Sequence, residues 1–385
     1  MTAVIYSGAV ANKPFNGGEA WIALSWTMGL LRLGCDVHFV EQIDPGSCVD
    51  AEGNPAEFER SANLEHFHAV FGEFGLADRA TLVCGSGERT SGLEFRRLLD
   101  LADSCDLLVN YSGHLELDPL MRRIGRKAYV DGDPGFTQFW HAQGHTGARL
   151  EGHDLYFTVG ENIGRPGCPI PTEGLDWRPV RQPVVLDEWP ATPSDDPARF
   201  TTIGSWRGPY GPVEHDGRTY GLKVHEFRKL IDLPSRAPLT FELALDIHPG
   251  DDRDRDALLA HQWRLVEPRK VAPDPSSFRH YLQTSGGEFS VAQGVYVKTR
   301  SGWFSDRTVR YLASGKPALV QDTGFGKRLF DEGLVTFTGL DDAAEGARRI
   351  HDAYDDHAEA ARAFAREHFD SEIVLARFLE RAGLG

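Results

Sequence analysis

The densest run of chemistry-bearing residues spans 286–326, GGEFSVAQGVYVKTRSGWFSDRTVRYLASGKPALVQDTGFG. Lys298 and Arg300 precede a Ser301-Gly302 turn, and Ser305-Asp306 stand where a helix over 307–314 can begin. The first turn of a helix offers unpaired N–H groups and the positive end of the helix dipole. With Lys298, Arg300 and Arg307 beside it, such a turn suits a diphosphate. Ser and Asp are equally ordinary N-caps, so a capped core helix with a solvated basic flank fits the same letters. The Trp303-Phe304 pair beside the cations could stack on a base or sugar, or simply fill the core.

Three shorter motifs sit on turns after apolar runs. Ile203-Gly204-Ser205-Trp206 closes a strand-like segment. In a doubly wound sheet ligands lie beyond the carboxyl ends of strands, where a Gly-Ser turn lets a ligand reach the backbone. A plain tight turn is the simpler reading. Asn16-Gly17-Gly18-Glu19 follows the first strand-like segment and opens a helical one. Glu19 is either a carboxylate favoured by the helix dipole or a general base; one carboxylate suffices to accept a proton. Asp131-Gly132-Asp133 follows another apolar run. Two carboxylates so spaced can hold a divalent ion on a diphosphate, bind or deprotonate an acceptor, or form a turn with Pro134-Gly135. Other fingerprints fail: position 90 is Thr, so GxGxxG is not met after Cys84, and neither GxxxxGK[ST], HExxH nor GxSxG occurs.

The elements that must position these residues alternate. Apolar strand-like runs at 3–7, 36–40, 80–84, 106–110, 127–131 and 154–159 are separated by helix-like segments, among them 20–33 and a long amphipathic 55–74. Such alternation implies a parallel sheet covered on both faces. A last strand-like piece at 184–186 is followed by WPATPSDDPA at 189–198, with three prolines, which reads as a linker. The pattern then resumes, with strands expected at 200–204, 239–245, 263–266, 317–321 and 334–338. Helices are expected at 222–231, 276–282 and 303–314, and the chain is nearly all helical from 341. The fold expected is α/β, with two Rossmann-like domains. They cover 1–188 and 199–369, and residues 370–385 form a closing helix.

Composition narrows the classes. At 385 residues the chain suits two domains. A hydrophobic share of 41% with 25% charged residues excludes global disorder and fibrous repeats. The formal net charge of −16 repels phosphate backbones, so nucleic acid is not an expected partner. The most apolar run, 20–31, is far shorter than the ~20 residues of a membrane span, and MTAVIYSGAV lacks the basic start of a signal peptide. Five scattered cysteines without CxxC suggest reduced thiols in a cytoplasm and no zinc ribbon. Lysines number only eight, so each one near a candidate pocket carries weight.

NGGEAW at 16–21, YVDGDPGFTQ at 129–138, TVGENIGRPGCPIP at 158–171 and TRSGWFSDRTVRYLASGKPALVQDTGFG at 299–326 together resemble bacterial glycosyltransferases of the GT-B type. The resemblance spans most of the chain, and the last motif is the most specific. It implies two facing Rossmann-like domains of GT-B type with a deep cleft between them, an acceptor site on the first and a nucleotide-sugar site on the second, with the last helix crossing back. Carried to matching positions, it implies donor contacts at Gly204, Ser205 and Trp206, at Tyr281 and Glu288, and along Lys298, Arg300, Ser301, Gly302, Trp303, Phe304, Ser305, Asp306 and Arg307. It implies acceptor contacts at Gly18, Asp131 and Phe136, and a base at Glu19 or, second, Asp133. The pair of glutamates eight apart found in many retaining relatives is absent, since Glu288 plus eight is Tyr296; this favours inversion. The expectation is therefore sugar transfer from an NDP-sugar to a small-molecule acceptor, metal-independent and without a cofactor, by a monomer or homodimer. Alternatives are a metal-dependent transferase using Asp131 and Asp133, or an epimerase-like or binding protein of the same shape. The arginine-rich, lysine-poor composition suits a GC-rich bacterial genome and specialised metabolism.

Overall fold

The computed structural model describes residues 1–208, 210–326 and 332–385. The first half carries β1 (Ala3–Ser7), β2 (Asp36–Ile43), β3 (Ala80–Cys84), β4 (Arg89–Ser91), β5 (Leu107–Tyr111), β6 (Lys127–Asp131), β7 (Leu155–Thr158) and β8 (Trp177–Pro179). Their order across the sheet is β4-β3-β2-β1-β5-β6-β7-β8, and only β4 runs antiparallel to its neighbour. The second half carries β9 (Arg199–Ser205), a hairpin of β10 (Val213–His215) and β11 (Arg218–Tyr220), then β12 (Thr240–Asp246), β13 (Arg264–Val266), β14 (Gly287–Ser290), β15 (Ala318–Gln321) and β16 (Leu334–Phe337). Its main sheet is parallel, in the order β13-β12-β9-β14-β15-β16. Both halves are thus Rossmann-like. Each reverses strand order beside its first strand, between β1 and β5 and between β9 and β14, which is where such sheets open a ligand crevice.

The strands form because their apolar runs are buried on both faces: β3, β5, β14 and β15 are buried throughout. The helix Gly17–Arg32 starts where Asn16 caps it, its side chain accepting from the Glu19 amide at 3.1 Å. Gly17 is there for closeness. A Cβ on it would lie 2.1 Å from the Asp274 carbonyl oxygen, so the loop can dock on the second half only as glycine. Trp21 fastens the same contact through Nε1 to the Pro275 carbonyl at 2.9 Å. The helix Ser371–Arg381 returns to the first half. Its Phe378 meets Trp26 edge-on at 5.1 Å and packs on Phe157 at 4.5 Å.

Three expectations change. The helix expected over 55–74 is confined to Ala62–Glu73, because Ser61 takes the cap position and the preceding residues make only a short 3-10 turn, Phe58–Arg60. Residues 184–186 are not a sheet strand: Val184 instead makes one isolated bridge to the distant Asp370. The strand β14 was not anticipated, since Gly286-Gly287 and the buried Glu288 mask a short apolar run.

Candidate functional site

Loops from both halves converge on Asp133. It lies just past β6, and its carboxylate accepts from the Tyr296 hydroxyl at 3.1 Å and the Tyr210 hydroxyl at 3.5 Å, both from the second half. Burial, reinforced by the neighbouring Asp131 charge, raises the Asp133 carboxyl to about 6. Lys13, in the loop after β1, pairs with Glu19 at 3.6 Å. Glu19 first, and Asp133 more weakly, hold its ammonium above the usual lysine range. Glu19, Lys13, Asp133, Tyr210 and Tyr296 are therefore brought together where the halves meet.

Asp131 has a different role. It is fully buried, and its oxygens accept from Thr137 Oγ1 at 2.7 Å, the Asp133 amide at 3.1 Å, Gln138 Nε2 at 2.8 Å and Thr158 Oγ1 at 2.7 Å. It fixes the turn that presents Asp133 and offers no second carboxylate to a metal or an acceptor. Among the described residues no group of three or more His, Cys, Asp or Glu has metal-holding geometry. Phe136 is likewise a core residue, packed against Tyr210 and Tyr296. Gly18 faces Phe278, which lies 2.9 Å from where its Cβ would be.

On the second half, Gly204 and Ser205 end β9 at the crevice. Beneath this turn Arg307 is clamped by Glu288 Oε1 at 2.6 Å, the Ile203 carbonyl at 2.6 Å and Ser290 Oγ at 2.8 Å. Arg307 and Glu288 thus join β9, β14 and the helix Asp306–Ala313 in an internal ion pair, with Arg307 Nη1 3.6 Å from where a Cβ on Gly204 would be. Burial pushes the Glu288 carboxyl up. Ser305 caps that helix, its Oγ accepting from the Arg307 amide at 3.2 Å. Asp306 pairs with the buried Arg310, placing a carboxylate at the helix start where an anion was expected. A small cavity of about 20 Å³, room for about one water, lies beside Ser290, Trp303, Ser305 and Asp322.

Several expected donor contacts lie elsewhere. Trp206 is buried, and its Nε1 donates to Asp254 at 2.9 Å on the far side of the turn. Tyr281 reaches Glu242 at 3.1 Å beside Arg199, at the amino end of β9 and so opposite the crevice. Lys298 is exposed and donates to the Thr219 carbonyl at 3.0 Å, bracing the hairpin. Arg300 pairs with Asp322 at 3.1 Å. Phe304 stacks between Phe325 and Phe369 at 4.4 and 5.0 Å, so it is core. Trp303 is half-buried and stacks on Tyr296 at 4.6 Å. Ser301 and Gly302 make the junction: the Asn162 amide donates to the Ser301 carbonyl at 3.0 Å, and Gly302 takes a positive φ of 74° against Asn162.

The residue missed from the sequence is Lys223, first in the helix Lys223–Phe227. Its ammonium lies 3.5 Å from where a Cβ on Gly204 would be. Among the described residues that ammonium has no hydrogen bond or ion pair. Burial, then the nearby Arg307, lowers it to about 7. The signal was present, since it is one of only eight lysines. It stands some 20 positions after the Gly-Ser turn, beyond a hairpin that the sequence did not announce. Tyr210, between the turn and the hairpin, was missed as well.

The sequence matches no protein-family model and no curated protein. Solved structures match over the whole chain. An alpha-glucosyltransferase in complex with UDP and a 13-mer DNA superposes with a TM-score of 0.61 at 12% identity, covering 100% of this chain and 99% of that one. HepE of Anabaena in complex with UDP-glucose gives 0.61 at 12% identity, covering 100% of both. Sucrose-phosphate synthase from Thermosynechococcus elongatus gives 0.55 at 10% identity, covering 99% and 98%. The fold is therefore that of the GT-B glycosyltransferases.

Proposed function

We propose that the protein transfers a sugar from a nucleoside-diphosphate sugar, with UDP the first nucleotide to test, to a hydroxyl-bearing small molecule. The observation that carries this reading is Lys223: an ammonium without a protein partner, set at the carboxyl end of β9 on the half that binds the nucleotide in this fold. Whole-chain similarity to structures whose titles name UDP or UDP-glucose supports it.

In the mechanism, the diphosphate lies over the Gly204-Ser205 turn with Lys223 against it. The acceptor occupies the space beside Asp133 and Glu19. Asp133 takes the hydroxyl proton, the acceptor oxygen forms its bond to the anomeric carbon, and the bond from that carbon to the diphosphate oxygen breaks. The electron pair leaves on the diphosphate, and the charged Lys223 neutralises it. A fixed cation aimed at developing charge can do this without a divalent ion. Asp133 is taken as the base because it is the carboxylate that the Tyr296 and Tyr210 hydroxyls hold at the junction, with its carboxyl raised to about 6, near working pH. One base on one face of the sugar corresponds to inversion.

Incubation with UDP-glucose and related UDP-sugars, with a panel of small alcohols and phenols, tests the proposal by mass spectrometry of the products. It expects a glycoside of one acceptor together with free UDP. Intact donor throughout, in a protein that binds UDP, would instead indicate a binding protein of this shape.

A further inference from the structure

A second cavity, of about 240 Å³, lies under the helix Ser371–Arg381, and none of Lys13, Glu19, Asp133, Tyr210, Tyr296 and Lys223 lines it. Arg165, Arg181, Arg377 and Arg381 line it, against the single carboxylate of Glu161. That is a concentration of positive charge on a chain whose net charge is −16. Arg181 holds Glu161 at 2.8 Å, and Arg381 donates to the Pro179 carbonyl at 2.7 Å, so two of the cations are fixed in place. The Arg165 and Arg377 side chains have no hydrogen bond or ion pair among the described residues. Phe157, Val180, Val374 and Phe378 lie buried behind these cations, and Pro179 is the half-buried apolar residue left at the surface of the cavity.

We propose that this cavity binds a small organic phosphate, its phosphate held by Arg165 and Arg377 and its apolar body seated against Pro179 and the methylene stems of the lining arginines. Guanidinium forks match phosphate geometry, and a small apolar pocket with a few convergent polar groups is the usual form of a ligand site. His368 reports on it from within. Burial first and Arg181 next lower its imidazole; Glu367 and Glu161 pull it up, and Arg377 adds a smaller downward pull. A bound dianion reverses that local field and raises it.

The test uses phenyl phosphate as probe on the full chain. The His368 ring is followed by NMR, assigned with His368→Gln, and melting temperature is followed in parallel. The expected result is saturable binding that raises the His368 pKa, persists in saturating UDP, and weakens at least tenfold in the Arg165→Gln, Arg377→Gln double variant. Both arginines are exposed, so that variant should fold, and its unchanged melting temperature without probe checks this. No binding, displacement by UDP, or undiminished binding in the double variant would overturn the proposal. Inorganic phosphate binding as tightly as phenyl phosphate would remove the role of Pro179 and the arginine stems and overturn it as well. Binding only to vesicles containing phosphatidylglycerol would assign the patch to a membrane surface and do the same.

Discussion

Asp133 and Lys223 are the two groups whose environments depart most usefully from water. Asp133 works as a base only when ionised, so the rate should rise with pH through about 6 and then level. Asp133→Asn should lower turnover by roughly 10²–10⁴-fold, the usual contribution of a positioned base, with UDP affinity nearly unchanged. Steady-state rates across pH and a UDP titration check both halves of that statement. A larger loss in Glu19→Gln than in Asp133→Asn would transfer the role to Glu19. Lys223 gives the opposite slope. In the free protein it is half neutral near pH 7, yet a diphosphate requires it charged, so above that pH binding takes up a proton. UDP affinity should therefore fall as pH rises from 7.5 to 9.5, by at most about tenfold per unit. Lys223→Gln should weaken UDP by about 10- to 100-fold, as for loss of a charged hydrogen bond, and flatten this slope. Calorimetry in buffers of different ionisation heat reads the proton directly.

The same residues show what the elements contribute and how far the letters alone could reach. Strand–helix alternation placed most of the strands of both halves and located the turns after β1, β6 and β9, because each is a buried apolar run closed by Gly, Asp or Ser. The chemistry on those turns was less legible. Asp131 and Asp133 are alike in sequence. Only the inward set of Thr137, Gln138 and Thr158 makes one structural and leaves the other facing the second half. Lys298, Arg300 and Arg307 form one basic string on paper, but β14 draws Arg307 inward and the hairpin draws Lys298 away. Long-range pairing of this kind leaves no local period. One element-level contact can be tested by itself. A methyl on Gly17 meets backbone, not a flexible side chain, so Gly17→Ala should destabilise the protein by about 1–3 kcal/mol. Thermal unfolding measures this; an unchanged melting temperature would mean that the loop does not dock on Asp274 in solution.

At the scale of the whole molecule, the two sheets are joined by side chains that reach across, Trp21 to Pro275 and Tyr296 to Asp133 among them. The final helix then ties the chain's end to its beginning. An alpha-glucosyltransferase in complex with a 13-mer DNA shares this fold. With 57 acidic against 41 basic side chains, this chain lacks the field that draws proteins to phosphate backbones. It should therefore not retard duplex DNA in a gel at physiological salt, and a retarded band would reopen nucleic acid as an acceptor. The most direct test of the central claim is a calorimetric titration of UDP into the protein in the presence of EDTA. The account predicts saturable binding at one site per chain, unchanged by the chelator. Absence of binding, or binding only once a divalent ion is restored, would contradict it.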